Sequence, residues 1–276
     1  MCATCGCSEE GHARIVDMDA DHGHQHHEHH HHHDHGHEHS DPHEPTHDSR
    51  VVRLEKDVLE KNARLAERNR GWLDARGVVM LNLMSAPGAG KTTLLERTIR
   101  DLAGHPPVAV IEGDQATLRD AERIRATGGR AVQINTGSGC HLDAAMVAQA
   151  LHALDPAPGT LLMVENVGNL VCPALFDLGE RARIALVSVT EGEDKPLKYP
   201  YMFRAADCML LTKTDLLPHV GFDRDACRAA ARRVHPGLPI LELSATSGDG
   251  LDAWYAWLRH PAAWTVPPAT PEAYAP

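Results

Sequence analysis

A run of apolar residues, 78–84, leads directly into Ser85-Ala86-Pro87-Gly88-Ala89-Gly90-Lys91-Thr92-Thr93, and a helical pattern follows over 92–102. Few sequence features restrict a fold as tightly. Gly88 and Gly90 free the backbone to close its N–H groups around phosphate oxygens, and the helix start adds the positive end of its dipole. Lys91 is spaced to reach the β- and γ-phosphates, and the Thr92 hydroxyl to ligate Mg²⁺. Ala89 and Thr93 complete the nucleotide-binding stretch. Ser85 stands where such loops usually begin with glycine. A chance glycine turn is the bland alternative, which the strand before and the helix after disfavour.

The rest of the chain extends the same grammar. Apolar runs of strand length recur at 108–111, 131–134, 161–164, 184–189, 209–211 and 240–243, with helical patterns between several of them, such as 142–154 and 223–234. Val/Ile/Leu-rich strands alternating with helices indicate an α/β fold, a mostly parallel sheet covered on both faces. Upstream, residues 53–70 space Leu54, Val58 and Leu65 along one helix face, with Gly71 near its end.

The first fifty residues differ in kind. They hold 11 acidic and 2 basic side chains of the chain's 38 and 27, and 15 of its 21 histidines lie between His12 and His47. Beyond Ile15 and Val16 they cluster almost no aliphatic surface, too little to offset ordering entropy. The expected division is a disordered Cys/His-rich metal-binding arm over 1–50, one nucleotide-binding domain over 51–265, and a flexible proline-rich tail over 266–276. The composition excludes several classes. No stretch approaches the ~18 consecutive apolar residues of a membrane span. The start has neither the basic residues nor the apolar run of a secretion signal, and a near-neutral domain on an acidic arm lacks the basic footprint of a nucleic-acid binder. Seven cysteines without an export signal read as reduced thiols, which places the chain in the cytoplasm.

The base of the nucleotide is indicated later. The strand at 209–211 runs into Thr212-Lys213-Thr214-Asp215, similar to the Asn-Lys-x-Asp guanine motif. A carboxylate at Asp215 can accept from both the ring N–H and the exocyclic amine of guanine, a pair that adenine does not offer. The stem of Lys213 would lie along the base. Thr212 replaces the usual Asn, which weakens the expected bracing of the loop. Ser244-Ala245-Thr246, after the last strand, offers the Ala245 N–H to the base. GTP is therefore favoured over ATP. Two acids close strand candidates on the phosphate side: Asp114, within Glu112-Gly113-Asp114, and Glu165, within Glu165-Asn166-Val167-Gly168. Glu165 suits the Mg²⁺-linked acid of a switch, Gly168 a γ-phosphate-sensing amide, and Asp114 either Mg²⁺ or the attacking water; solvated strand-end acids are the alternative. The catalytic set is then Lys91, Asp114 and Glu165, and the Mg²⁺ set Thr92, Asp114 and Glu165.

Three groups have metal-ligand chemistry. Cys2, Cys5 and Cys7 can close on one ion with the α-amine as a fourth ligand, suiting planar Ni²⁺ or tetrahedral Zn²⁺. The tract of His22, His24, His26, His27, His29, His30, His31, His32, His33, His35, His37 and His39 binds borderline metals weakly and suits storage; a purification tag is its alternative. Cys140, His141 and Cys172 form the third group, weak on spacing alone because lone cysteines are common in cores. Its interest is positional: Cys172 shares a segment with Gly168. Cys208 and Cys227 sit in apolar or helical contexts and read as structural.

In combination these motifs, including Met-Cys-x-x-Cys-Gly-Cys, Gly-Cys-His-Leu-Asp and Glu-Asn-Val-Gly-Asn-Leu-Val-Cys-Pro, resemble the nickel-insertion GTPases of [NiFe]-hydrogenase maturation, the HypB family, from residue 1 to about 258. The resemblance implies a SIMIBI-type P-loop NTPase that hydrolyses GTP slowly, dimerises with GTP and metal, and binds nickel at Cys2, Cys5 and Cys7. It also implies a Ni/Zn site at Cys140, His141 and Cys172, with the companion metallochaperone HypA and the hydrogenase large subunit as partners. A nickel storage or detoxification protein with a regulatory GTPase, and the related urease-maturation GTPase, are the alternatives. The urease family carries Cys-Pro-His as one motif, whereas here Cys140-His141 and Cys172-Pro173 are separate.

Overall fold

The computed structural model describes residues 14–17, 47–114 and 119–259. The expected ligands Cys2, Cys5 and Cys7, the histidines from His22 to His39 and the expected tail over 266–276 lie outside them. Among the described residues, eight strands form one sheet: β1 (Arg14–Asp17), β2 (Val79–Ser85), β3 (Val108–Asp114), β4 (Arg130–Asn135), β5 (Leu161–Glu165), β6 (Ala182–Ser188), β7 (Cys208–Thr212) and β8 (Ile240–Glu242). Their order is β1-β4-β3-β5-β2-β6-β7-β8, with β1 antiparallel at the edge and the remaining seven parallel. The expected mostly parallel sheet is present.

The period of two along β2 divides the core. Leu81 and Leu83 face α2 (Lys91–Leu102) and α8 (Leu251–Leu258), where Leu95 and Trp254 are fully buried. Met80 faces the opposite layer, α1 (His47–Arg76) and α4 (Ala144–Leu154), and Met84 faces α6 (Pro200–Ala205) and α7 (Arg224–Val234). Short helices α3 (Arg119–Arg125) and α5 (Lys195–Lys198) complete the covering layers. Cys208 and Cys227 are buried, and burial pushes both thiols up to about 12, as inert packing groups.

Within the arm, whose disorder is expected in the absence of metal, Ile15 and Val16 lie in β1 opposite Ile134 and Gln133. Two β-branched residues against an open sheet edge suffice for a four-residue strand. The first helix was expected to stop near Gly71, but it runs to Arg76. A glycine costs an exposed helix interior only about 1 kcal/mol, and the stop is Gly77, whose φ of +64° is easiest for glycine.

Helix α1 is clamped by polar side chains rather than by packing alone. Asn62 Oδ1 accepts from the Ala144 amide at 2.9 Å, and its Nδ2 donates to Asp177 O at 2.7 Å. Asn69 Nδ2 donates to both Ala144 O and Leu178 O, at 2.8 and 3.0 Å, and Arg70 forks onto the Asp177 carboxylate. Gly179, at φ +90°, lets that loop approach so closely that an added Cβ would stand 2.6 Å from Ala66 O.

Asn69→Ala would leave two buried carbonyls without their donor, and is expected to cost about 1–3 kcal/mol as a lower denaturant midpoint at unchanged slope. Lys56→Ala removes only an exposed pair with Glu60 at 3.8 Å and should change stability by less than about 1 kcal/mol. Equal losses from both variants would contradict the clamp.

Candidate functional site

The carboxyl ends of β2, β3 and β5 lie side by side, and the loop after β2 closes over them before α2 begins. A cavity of about 450 Å³ opens there. Gly88, Gly90, Lys91, Thr92 and Thr93 line one wall; Asp114, Glu165 and Gly168 line another, and Lys213 closes a third side. Gly88 and Gly90 hold φ of +75° and +98°, the left-handed conformation this loop requires.

The polar contacts explain the loop's residues. Lys91 Nζ donates to Ser85 Oγ at 2.9 Å, so the serine in the usual glycine position serves as a rest for the lysine. Thr212 was expected to weaken the bracing of the base loop. Instead its hydroxyl donates to Ala89 O at 2.7 Å, and Lys213 Nζ donates to Gly88 O at 2.7 Å. A β-hydroxyl is enough because β7 ends beside the phosphate loop. Lys213 adopts φ +59°, a left-handed turn that bends its stem over the loop.

Thr92 Oγ1 donates to Glu165 Oε1 at 2.8 Å, which joins two of the residues expected at Mg²⁺. A second acid was missed. Glu112 is the register partner of Glu165 and lines the same cavity. The sequence reading chose Asp114 because it closes the strand, but the cross-strand register pairs Glu112 with Glu165, and both acids lie at the wall with Asp114. Burial, reinforced by the Glu165 carboxylate, pushes Glu112 up to about 9. Burial raises Glu165 to about 7 against the pull of Lys91, whose own ammonium is shifted downward by burial. Glu112 Oε2 and Glu165 Oε2 are buried without hydrogen-bond partners. Two hard oxygens orphaned beside a threonine hydroxyl suit a small divalent cation such as Mg²⁺.

On the base side, Thr214 N donates to Leu243 O at 3.3 Å, bringing the segment after β7 against the segment after β8. Asp215 lies in the 3₁₀ turn Thr214–His219, and its Oδ1 is buried without a partner. Ser244 Oγ accepts from the Thr246 and Ser247 amides, shaping the turn that carries Ala245. Ala89, Asp215, Ser244 and Ala245 do not line the 450 Å³ cavity itself.

The third cysteine group closes in space. Cys140 Sγ lies 3.3 Å from Cys172 Sγ and 3.7 Å from His141 Nδ1, and the three donor atoms all fall within 4.8 Å of one another. His141 stacks on Phe176 with ring centroids 4.0 Å apart, and burial lowers its pKa, which favours the neutral imidazole that ligates metals. Cys172 starts the 3₁₀ turn Cys172–Ala174, on the segment that begins at Gly168. Gly168 presses on the phosphate loop: an added Cβ would sit 2.8 Å from Pro87 Cγ and 2.9 Å from its Cα.

The raised acid fixes a pH dependence. Glu112 titrates near 4.5 unfolded and near 9 folded, so the folded state binds the extra proton between those values and stability drains away as pH rises. Without nucleotide or divalent cation, Glu112→Gln should gain stability over the native protein progressively from pH 5 to 9 in denaturant melts. A constant difference across that range would contradict the burial of a protonated Glu112.

The CobW/HypB/UreG nucleotide-binding domain model matches residues 79–242. The hydrogenase maturation factor HypB of Azotobacter vinelandii is 61% identical over 211 residues, covering 76% of this chain and 70% of that protein. HypB of Escherichia coli (strain K12) is 59% identical over 210 residues, covering 76% and 72%. Among solved structures, HypB from Helicobacter pylori in complex with nickel shares 38% identity at a TM-score of 0.67, covering 72% of this chain and 93% of that one. HypB from Archaeoglobus fulgidus shares 42% identity at 0.68, covering 72% and 98%. The chain belongs to the HypB family of hydrogenase maturation factors.

Proposed function

We propose that this chain is a GTP-hydrolysing nickel metallochaperone that delivers Ni²⁺ to the [NiFe]-hydrogenase large subunit in the cytoplasm, working with HypA and as a GTP- and metal-dependent homodimer. The observation that carries the reading is the single short segment from Glu165 to Cys172. Its start touches the phosphate loop through Thr92 and Pro87, and its end supplies a thiol to the Cys140, His141, Cys172 cluster.

The residues divide the work as follows. Backbone amides of Gly88, Ala89, Gly90, Lys91 and Thr92 cradle the phosphates, with Lys91 released from Ser85 to the β/γ oxygens. Asp215 accepts from guanine, Lys213 covers it, and the Ser244-Ala245 turn offers an amide. Thr92, Glu165 and Asp114, with Glu112 beside them, would hold Mg²⁺, which would supply positive charge against that of the phosphates. Asp114 orients the attacking water. The Gly168 amide donates to the γ-phosphate, and hydrolysis withdraws that contact, so the segment carrying Cys172 has two states. Nickel, or zinc in its place, is cargo at Cys140, His141 and Cys172: three ligands leave a coordination position open for hand-over. Cys2, Cys5, Cys7 and the histidine tract feed and store the metal. Among the described residues, no helix is long and apolar enough to cross a membrane.

Asp215→Asn should cut GTP turnover by at least about 100-fold and shift preference toward xanthosine triphosphate, whose C2 carbonyl accepts from the new amide; retained GTP preference would place the base elsewhere. The delivery reading is tested with the nickel-loaded chain, HypA and apo large subunit. Nickel should reach the large subunit with GTP and fall several-fold with a non-hydrolysable analogue or with Cys172→Ala. Equal transfer under all three conditions would overturn it.

A further inference from the structure

Between the cavity and the cysteine cluster lies a buried polar chain that none of these roles uses. Asn166 follows Glu165 directly and is 1% exposed. Its backbone N–H donates to Leu83 O at 3.1 Å, which fixes it to the strand that carries the phosphate loop. Its side-chain Oδ1 accepts from the amides of Leu142, at 3.3 Å, and Val167, at 3.0 Å. Two facing N–H donors dictate that the oxygen points that way. The Nδ2 end donates to Asn82 Oδ1 at 3.1 Å, and Asn82 Nδ2 donates to Glu180 Oε1 at 3.3 Å. Glu180 Oε2 accepts from the Leu178 amide at 2.6 Å, while Arg183 Nε donates to its other oxygen.

The Asn166 amide thus touches the segment after His141 directly and reaches the loop after Cys172 through Asn82 and Glu180. Leu142 is the residue after His141, and Leu178 closes the loop downstream of Cys172. Apolar side chains would fill this interior without the desolvation cost of two asparagines and a glutamate. A rigid amide, however, moves its two ends together, so rotation at the end of β5 shifts the Leu142 amide and the Asn82–Glu180 link at once.

We propose that Asn166 is a positioning residue that couples the nucleotide-facing end of β5 to the geometry of the Cys140–His141 ligands, through its Oδ1 bond to the Leu142 amide. This rests on the nucleotide-switched metal site proposed above and adds a second route to it. The backbone from Gly168 moves Cys172, and the Asn166 amide moves the opposing ligands.

The test uses the full chain. The ratio of GDP to GTP-analogue dissociation constants is measured with and without Ni²⁺, since linkage requires metal to alter that ratio if nucleotide alters metal binding. Cys172→Ala controls for nickel held on the arm. The native chain should show a nickel-dependent change of about fivefold or more, the usual size of such coupling, and Asn166→Ala less than twofold. A change as large in Asn166→Ala as in the native chain overturns the inference while leaving the switch intact. No nickel effect in the native chain overturns both. Should Asn166→Ala fail to fold, hydrogen exchange at the Leu142 amide of the native chain decides. Its protection is expected to differ about tenfold between GDP and the analogue, and equal protection overturns the proposal.

Discussion

Everything in the domain is arranged around one unresolved charge problem at the carboxyl ends of β2, β3 and β5. Parallel register forces Glu112 and Glu165 together, and the helix after the phosphate loop drives Lys91 and Thr92 into the same water-poor space. One ammonium and one hydroxyl do not satisfy both acids, and burial raises both, with the Glu165 carboxylate adding to the shift of Glu112. Such a site is costly as a structural device. A divalent cation would bring the missing positive charge, and the proposed coupling would draw on that binding.

That coupling would be directed by what the neighbouring loops touch. On the cavity side, Gly168 has no room for even a methyl group against Pro87, so the segment after β5 has to answer any shift of the phosphate loop. On the far side the same segment ends at Cys172, opposite Cys140 and His141. Helix α1 holds the surroundings in place: Asn62, Asn69 and Arg70 tie together the start of α4, just after His141, and the loop over 177–179. The cysteine cluster therefore sits between the elements tied by α1 and the segment that meets the phosphate loop, the placement that the proposed nucleotide coupling requires.

Much of this was legible in the chain. The phosphate loop announces itself because its chemistry needs glycines, lysine and threonine at fixed spacing, and alternating strands and helices give the parallel sheet from hydrophobic patterning alone. Cys208 and Cys227 were separable from Cys140 and Cys172 by context. What escaped the reading depends on contacts between distant residues. Glu112 could not be ranked above Asp114 without knowing which residue of β5 it faces. Thr212 looked like a weakened base loop until Ala89 O appeared beside its hydroxyl. The Asn82, Asn166 and Glu180 chain has no spacing signature, since its members come from three separate segments. The strand β1 was invisible for another reason: four residues gain their structure from an edge that the sequence around them does not contain.

Nickel X-ray absorption on the full chain with Cys2, Cys5 and Cys7 replaced by serine tests the central claim most directly, because sulfur scattering then reports only on Cys140 and Cys172. The account predicts two sulfur ligands in one nucleotide state and a different sulfur count or Ni–S distance in the other, with the difference abolished by Cys172→Ser. Identical spectra with GDP and a GTP analogue, or a difference that survives Cys172→Ser, would contradict a metal site governed by the nucleotide through the segment after β5.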